Sequence, residues 1–419
     1  MRSIHELGTR GAARARRRAL RLAVALAVTA ALAGCASSGA QVSAAMPGGL
    51  AATATGSPTP RPTPSASPAA APATTPAAGP TPTSTPAPTS VAPAHTPAPN
   101  AGPVSIGWVG DTSFGKPGSH PTTPGQIFAT VPAPALHADV MLANLETALG
   151  DDIPMTKCAT GQQNCYAFEA PTSAAAALKA AGFAGVNVAN NHTMDAGSAG
   201  VTATDAALTA AGLVYAGRPG QITYFQRGGA TIALLGFAPY YFDDDALDLA
   251  AAQAQVREAS AHADIVIVMD HLGGEGDGMQ HVRPGEETYL GEDRGDPIAF
   301  SHAVIDAGAD LVIGSGPHVL RGMEWYRGRL IAYSLGNFAN FHNLTITPTS
   351  SVTAALHVTL RPDGSFVSGD VVPLRLVTPG SPQPDPSGAA VDVIRSLSQS
   401  DFGPAAVTLS ATGAVAPPQ

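Results

Sequence analysis

The chain has few cysteines, no apolar run long enough to cross a membrane, and no excess of positive charge. Its 419 residues include only 3 cysteines. The apolar run near the amino terminus, LAVALAVTAALAG at 22–34, is too short to span the roughly 30 Å of bilayer hydrocarbon as a helix. That run by itself is therefore excluded as a stable membrane-spanning anchor.

Positive charge is scarce after the first 35 residues. Seven of the 22 Lys and Arg residues lie before position 36, together with one of the 31 acidic residues. Residues 36–419 therefore carry 15 basic and 30 acidic side chains, a net charge of about −15. Nucleic acids and anionic lipid surfaces require a basic footprint, so neither is an expected partner. Acidic side chains at strand ends would instead suit a cation.

The amino terminus has the pattern of a bacterial export signal. Seven arginines, at positions 2, 10, 14, 16, 17, 18 and 21, precede a short apolar run that ends in small residues. The residues LAGC at 32–35 resemble a lipobox, in which the cysteine becomes the lipidated first residue of the mature protein. We expect residues 1–35 to be a lipoprotein signal peptide and Cys35 to anchor the protein outside the cytoplasm. Without lipidation of Cys35, the protein would be secreted.

Residues 36–102 have the composition of a disordered linker. They are almost wholly Ala, Pro, Thr, Ser and Gly, with 15 prolines and one charged residue, Arg61. Such a segment buries too little apolar surface to offset the entropy of ordering. Its prolines favour the extended polyproline II conformation, which predicts a semi-rigid spacer.

The two remaining cysteines, Cys158 and Cys165, lie in the loop sequence TKCATGQQNCYAF. A structural disulfide and a metal site are both compatible with this spacing. A metal site would need more ligands nearby, and an oxidising compartment favours the disulfide.

From residue 103 onward, short apolar runs alternate with Ala-rich helical stretches. The apolar runs lie at 104–110, 139–146, 183–190, 230–238, 264–271 and 309–316. Repeated alternation of strand and helix indicates an α/β domain with a largely parallel sheet flanked by helices. Later strands without helices suggest an antiparallel second sheet or edge. We expect one domain at 103–380, followed at 381–419 by a tail or a last helix around VDVIRSLSQ.

Polar or ionisable side chains follow nearly every predicted parallel strand. Each has an ordinary interpretation as a turn residue, a helix cap or a core histidine, but the carboxyl ends of such strands share one crevice. Their coincidence predicts a functional site formed by Asp111, Asn144, Glu146, Asn190, Asn191, His192, Asp195, His271, Glu275 and His318.

The mixture of ligand types predicts a transition-metal or zinc site. Oxygen donors from Asp111, Glu146 and Asn191, combined with the imidazoles of His271 and His318, suit Mn, Fe or Zn better than Ca or Mg. Two such ions about 3.5 to 4 Å apart can clamp both oxygens of a phosphoester displacement. His192 would then donate a proton to the leaving group.

Five segments together resemble the CapA family, whose archetype is the capsule-synthesis protein of bacterial poly-γ-glutamate production. They are GDTSFG, LANLETAL, NVANNHTMDAG, HLGGEG and GADLVIGSGPHVLRGMEWYRGRLIAYSLGNF. The resemblance implies a place in the calcineurin-like metallophosphatase superfamily and a β-sandwich core flanked by helices. It also implies metal ligands at Asp111, Glu146, Asn191, His271 and His318, with Asn144 beside them and His192 as the acid.

Two positions depart from the pattern that this resemblance implies. Gly316 stands where many members have a histidine, and Ser113 stands where superfamily phosphatases have another. A site that lacks these two imidazoles is expected to hold one ion rather than two, or to bind metal weakly. His281 is a possible substitute ligand, although an ordinary loop histidine is the simpler interpretation.

Arginines near the last strand end suggest how an anionic substrate is held. Arg321 is expected to contact substrate, together with Asn144 and Glu275, because an Arg fork grips carboxylate or phosphate. Arg327 and Arg329 are interpreted as ordinary surface charge.

Two functions remain open at the level of sequence. One is a metal-dependent hydrolase or transferase acting on a capsule or envelope polymer such as poly-γ-glutamate. The other is a non-catalytic module that binds or exports an anionic polymer. Expected partners are an anionic polymer or phosphoester, the membrane through the lipid anchor, and a membrane-bound synthesis complex.

Overall fold

The computed structural model describes residues 101–158, 162 and 165–418. The chain divides into two units, and these residues all belong to the unit spanning Pro86–Gln419. The expected signal peptide with Cys35, and nearly all of the expected linker, lie outside the described residues. Within the described part of the chain, no helix has the length and apolar character needed to cross a membrane.

Twenty strands and five α-helices make up the described unit. The strands are β1 (Val104–Ser113), β2 (Val140–Leu145), β3 (Ala148–Leu149), β4 (Glu169–Ala170), β5 (Gly185–Asn187), β6 (Val214–Ala216), β7 (Thr223–Arg227), β8 (Ala230–Phe237), β9 (Ile265–His271), β10 (Thr288–Tyr289), β11 (Glu292–Asp293), β12 (Leu311–Ser315), β13 (Met323–Tyr326), β14 (Arg329–Ala332), β15 (Asn337–Asn340), β16 (Val352–Leu360), β17 (Phe366–Val377), β18 (Ser381–Pro384), β19 (Thr408–Leu409) and β20 (Ala414–Ala416). The helices are α1 (Ser173–Ala181), α2 (Gly197–Ala210), α3 (Leu249–His262), α4 (Pro297–Ala307) and α5 (Ala389–Phe402).

Sixteen of the twenty strands form two large mixed sheets, and β3 with β4 and β10 with β11 form two small ones. The first has ten strands in the order β19-β20-β17-β16-β1-β2-β5-β6, with β15 beside β1 and β18 beside β17. The second has six strands in the order β13-β14-β12-β9-β8-β7. The parallel strands are thus divided, with β1, β2, β5 and β6 in one sheet and β8, β9, β12 and β14 in the other.

The expected α/β class is confirmed, but the parallel strands do not form a single sheet. Of the two expectations for the later strands, the antiparallel edge is confirmed, because β16 and β17 extend the first sheet from β1 and β13 adds to the edge of the second. Alternating strands and helices in the sequence do not reveal which strands are neighbours.

The two sheets pack face to face around a common apolar core. Trp108 of the first sheet and Met269 and Ile313 of the second are buried in one cluster, and the Trp108 indole Nε1 donates to the Gly314 carbonyl at 3.1 Å. Helices α1 and α2 cover the outer face of the first sheet, and α3 and α4 cover that of the second. The result is a helix–sheet–sheet–helix sandwich.

Local sequence signals mark the ends of α3 and α4, the helices that connect β8 to β9 and β9 to β12. Asp248 caps α3 by accepting from the Ala251 amide, and Asp296 caps α4 by accepting from the Ala299 amide. Pro297 occupies the first turn of α4, and Gly308 ends it in the left-handed conformation. These helices return the chain so that β8, β9 and β12 run parallel and end at the same edge.

The segment after residue 380 continues the domain. The expected last helix is α5, which packs Ile394 into the core between the sheets. Strands β18 and β20 both pair with β17, so residue 380 does not mark a structural boundary.

Candidate metal centre and adjoining cavity

Four strand ends, two from each sheet, meet at one buried point. Asp111 lies near the end of β1 and Glu146 follows β2, while His271 ends β9 and His318 follows β12. Ring Nδ1 atoms of His318 and His271 lie 3.0 and 3.6 Å from the Asp111 carboxylate. The structure therefore brings together residues separated by up to about two hundred positions in the chain.

Glu146 is at the centre of this cluster. Its Oε1 atom lies 3.6 Å from His318 Nε2, 3.7 Å from His192 Nε2 and 3.8 Å from His271 Nε2. The Glu146 side chain is 0% exposed, and neither of its carboxylate oxygens has a hydrogen-bond partner within the described chain. The same holds for His271 Nε2.

Asn144 joins the two halves of the cluster. Its Nδ2 donates to Asp111 Oδ1 at 2.8 Å and lies 3.1 Å from His271 Nδ1. Its Oδ1 accepts from Asn187 Nδ2 at 3.1 Å. This amide therefore orients one carboxylate and one imidazole at once, which fits the supporting position expected for Asn144.

His318 is held in an unusual backbone conformation. Its φ of 60° is in the left-handed region, where residues other than Gly are uncommon. Its ring Nδ1 lies 3.0 Å from Asn337 Oδ1, and Asn337 Nδ2 donates to the His318 carbonyl at 3.3 Å. The amide of Asn337, which sequence reasoning missed, thus fixes both the backbone and the ring of His318.

His192 faces the cluster with a partner on its far side. Its Nδ1 lies 2.5 Å from Asp195 Oδ2, and its ring stacks on Phe168 at 3.8 Å between centroids. Asp195 also accepts from the Phe168 backbone amide at 2.6 Å and pairs with Lys157 at 3.2 Å. The sequence placed Asp195 in the same turn, but it did not indicate that Asp195 positions the His192 ring.

Asn191 and Glu275 lie beside the cluster on the wall of a cavity of about 980 Å³. Asn191 Nδ2 donates to Glu275 Oε1 at 3.3 Å, while Asn191 Oδ1 is buried without a partner in the described residues. Glu275 Oε2 lies 3.6 Å from His318 Nε2. All the sequence-predicted metal residues therefore lie in or next to one site.

Burial and mutual charge shift the pKa values of this cluster in opposite directions. Burial raises the pKa of Asp111, but hydrogen bonds with His271 and His318 outweigh it and hold that pKa well below its usual range. Burial, helped by nearby carboxylates, raises the pKa of Glu146 well above normal.

The three imidazoles also differ. Burial lowers the pKa of His271 to about 4 and also lowers the pKa of His192. Burial opposes the charge of His318 as well, but Glu146, Asp111 and Glu275 raise its pKa well above normal.

The cluster has the properties expected of a divalent-metal site. Asp111, Glu146 and His318 each offer a ligand atom, and these atoms lie within 4.8 Å of one another. Two ligands at about 2.1 Å from one ion are at most about 4 Å apart, and the Glu146 to imidazole separations of 3.6 to 3.8 Å are within that limit. Buried, unpaired carboxylate and imidazole atoms are costly unless a cation compensates them.

The two positions that lack the expected imidazoles are filled by neutral groups. Ser113 Oγ bonds Thr147 Oγ1 at 2.6 Å and accepts from Asn343. Gly316 has a φ of +108°, and its amide donates to Asp111 Oδ2 at 3.3 Å. A side chain at Gly316 would be strained in this backbone conformation. His281 is half exposed, pairs with Asp401 and lies outside the site.

The expected substrate role of Arg321 does not fit its position. Arg321 is 0% exposed, and its guanidinium binds both oxygens of Glu287 and the Met279 carbonyl. Arg327 and Arg329 pair with carboxylates away from the cluster, as ordinary charge would. Arg294, by contrast, is an arginine that lines the cavity. No strand or helix pattern marks it in the sequence.

Cys158 and Cys165 form a disulfide with an S–S distance of 2.06 Å. Both cysteines line the cavity, as do Lys157 and Tyr166 on either side of them. The bond therefore belongs to the cavity rim, and of the two interpretations of these cysteines the metal site is excluded.

Fold and site together define an α/β sandwich protein with a candidate divalent-metal centre at the carboxyl ends of its strands. Residues 105–342 match the family model for bacterial capsule synthesis protein PGA_cap. This match covers more than half of the chain, and the chain belongs to that family.

Curated relatives agree with this assignment. The chain is 33% identical over 229 residues to a capsule biosynthesis protein CapA of Bacillus anthracis, covering 50% of this chain and 51% of that protein. It is 33% identical over 196 residues to the PGA biosynthesis protein CapA of Bacillus subtilis, covering 42% and 47%. The matches thus span about half the length of these relatives.

A solved 5'-nucleotidase precursor from Thermus thermophilus overlaps more distantly. Its TM-score is 0.33 at 14% sequence identity, covering 71% of this chain and 59% of that chain. At this level the overlap carries no argument about chemistry.

Proposed function

We propose that the protein is a metal-dependent hydrolase or transferase that acts on an anionic capsule or envelope polymer, such as poly-γ-glutamate, outside the cytoplasm. One observation carries this proposal. Glu146 is completely buried, both of its oxygens lack partners among the described residues, and the Nε2 atoms of three histidines surround it within 3.8 Å.

Asp111, Glu146, His271 and His318 are the residues that would hold the metal, with Asn191 completing the set. Mn, Fe and Zn match this mixture of oxygen and imidazole donors. When bound, such an ion polarises a phosphoryl or carbonyl oxygen and lowers the pKa of water. Asn144 and Asn337 orient the ligands, and Lys157 and Arg294 supply positive charge to the cavity wall.

His192 is proposed to move the proton. Asp195 holds its Nδ1, so that Nε2 points toward the cluster. Burial lowers the His192 pKa and so favours the neutral ring, which first accepts a proton from the attacking group. It then returns this proton to the leaving group, which is the acid role expected from the sequence.

A non-catalytic polymer-binding or export module is the second candidate. Ser113 and Gly316 favour this candidate, because each stands where a histidine ligand is expected. The site therefore has fewer imidazoles than a complete two-metal site needs. In that case the cluster would position an anionic polymer without turning it over.

Location outside the cytoplasm is part of the proposal. The disulfide between Cys158 and Cys165 supports it, because such bonds persist in oxidising compartments. A lipid anchor at Cys35 would place the domain next to a membrane-bound synthesis complex.

Activity assays separate the two candidates. The purified protein, supplied with Mn, is tested for hydrolysis of a chromogenic phosphodiester and for cleavage of poly-γ-glutamate. An enzyme loses activity on Asp111→Asn, and loses about 10² to 10⁴-fold on His192→Ala with metal content unchanged. Absence of turnover on either substrate, combined with polymer binding that His192→Ala leaves unchanged, would overturn the enzymatic proposal in favour of the binding module.

A further inference from the structure

Two arginines are fully buried near the candidate metal centre, and only one of them has hydrogen-bond partners for all of its guanidinium nitrogens. Arg321 and Arg294 are both 0% exposed. Arg321 donates through all three guanidinium nitrogens, to Glu287 and to the Met279 carbonyl. Arg294 donates only through Nη1, to Glu275 Oε1 at 2.5 Å.

The remaining edge of Arg294 has no partner. Its Nε and Nη2 atoms are buried and unbonded within the described chain. These two nitrogens form one side of the planar guanidinium, and their N–H bonds point the same way, which is the geometry that binds two oxygens of one carboxylate or phosphate. Arg294 is also part of the wall of the 980 Å³ cavity, together with His318 and Glu275.

Arg294 is held in place by contacts on both sides. Its backbone amide donates to the Glu287 carbonyl at 2.8 Å, and its carbonyl accepts from the Gly273 amide at 2.9 Å. Glu275 links the Arg294 guanidinium to His318, which lies 3.6 Å from the other carboxylate oxygen. The unpaired edge is therefore fixed relative to the candidate metal centre rather than mobile at the surface.

We propose that the Nε–Nη2 edge of Arg294 is the receptor for an anionic group of the substrate, a carboxylate or phosphoryl group bound through two oxygens. This rests on the proposed function, and it names the part of the site that selects an anionic substrate. An anion at this edge compensates a buried cation that Glu275 neutralises only in part, since Glu275 also faces His318. Arg294 takes the substrate-binding role that the sequence suggested for Arg321.

The side chains that line the cavity agree with an elongated ligand that carries such an anion. Tyr166 and Leu290 are 50% and 60% exposed on its wall, and Lys157 adds a second cation there, 33% exposed. A ligand that carries an apolar segment beside its anion would fit this combination of surfaces.

Anion titrations of matched arginine variants test the proposal. Binding of glutarate and, separately, of inorganic phosphate is measured by calorimetry for the wild type, Arg294→Lys and Arg321→Lys, and the metal content of each preparation is measured in parallel. Lysine keeps the charge but cannot present two parallel N–H donors.

We expect Arg294→Lys to weaken binding of at least one anion by about 10- to 100-fold, the range of one or two charge-assisted hydrogen bonds, at unchanged metal content. Arg321→Lys should leave anion affinity unchanged. A loss for glutarate alone identifies a carboxylate, and a loss for phosphate alone identifies a phosphoryl group. Equal affinity of wild type and Arg294→Lys, or equal losses in both variants, would overturn the proposal.

If Arg294→Lys does not fold, a second variant tests the proposal. The pair Glu275→Gln with Arg294→Gln removes both charges of the ion pair together, so no buried charge is left without its partner. This double variant must also lose anion affinity. Absence of metal from every preparation would count against the proposed function, whereas unchanged anion affinity in metal-containing variants would count against Arg294 alone.

Discussion

Carboxylates are buried at both ends of the sandwich, but the two ends differ in whether those carboxylates accept hydrogen bonds from the backbone. At the amino ends of the strands, Asp139, Asp264 and Asp310 each come one residue before a strand; Asp264 and Asp310 are buried, whereas Asp139 is exposed. Each accepts a hydrogen bond from a backbone amide of the neighbouring strand, at 2.9, 2.6 and 2.8 Å respectively. At the carboxyl ends, Glu146 is more deeply buried and has no such bond.

This difference shows that burial of an acid does not by itself mark a functional site. The aspartates at the amino ends hold neighbouring strands together, so their polar atoms are accounted for within the fold. The carboxylate of Glu146 and the Nε2 atom of His271 are left for something outside the polypeptide. Folded proteins seldom tolerate such atoms without a partner, and a cation is the partner that this charge pattern favours.

Removing the central carboxylate should have the largest effect. Glu146→Gln is expected to reduce metal affinity by more than about 100-fold, since even residues that only support ligands contribute 10- to 100-fold. Titration of metal-free protein with Mn or Zn measures this. The matched control is Asp310→Asn, a buried acid at the opposite end, which should keep the affinity of the wild type. Equal affinity of Glu146→Gln and wild type would contradict the account.

The same variant has a second readout in unfolding experiments. Because the pKa of Glu146 is raised in the folded state, its contribution to stability without metal is lost as the pH rises through that value. Metal-free Glu146→Gln should lack this loss and become more stable relative to metal-free wild type at higher pH. At the same metal concentration, the wild type should gain more stability than the variant, because it binds the metal more tightly.

Removing the side-chain amide of Asn144, which contacts Asp111 of the first sheet and His271 of the second, should have an intermediate effect on metal affinity. Asn144→Ala removes the donor shared by Asp111 and His271, and we expect metal affinity to fall by about 10- to 100-fold. Asn340→Ala, which deletes another buried amide that makes no hydrogen bond to the ligands, is the control. If both variants bind metal like the wild type, the supporting role of Asn144 is wrong.

The smallest expected effect is at the amino end and concerns stability alone. Burial raises the pKa of Asp310 to about 6, although Arg329 and the Val266 amide oppose this. Its contribution to the free energy of unfolding is therefore fully present below pH of about 4 and is lost as the pH rises through 6. The wild type should lose roughly 1 to 3 kcal/mol relative to Asp310→Asn over this interval, measured by denaturant unfolding. A difference that does not change with pH would contradict the raised pKa.

Residue patterns grouped the residues of the candidate site, whereas the sandwich around it was implied only by the family resemblance. Asp111, Glu146, His271 and His318 were identified because each follows an apolar run, and the ends of parallel strands meet at one edge. Division of those strands between two sheets was not readable from residue patterns, because face-to-face packing depends on contacts between distant segments.

The errors and omissions have a common physical cause. Arg321 was expected to bind substrate because it is close in sequence to His318, yet its guanidinium is saturated by Glu287. Arg294 was missed because it lies in a loop without any periodic pattern. Whether a side chain has a partner depends on residues far away in the chain, and spacing in the sequence does not report it.

The most direct test of the central claim is elemental analysis of the purified protein, prepared without chelator, beside its Asp111→Asn variant. The account predicts one or two equivalents of Mn, Fe or Zn per chain in the wild type and far less in the variant. A wild type that contains no such metal, and takes up none when titrated with these ions, would contradict it.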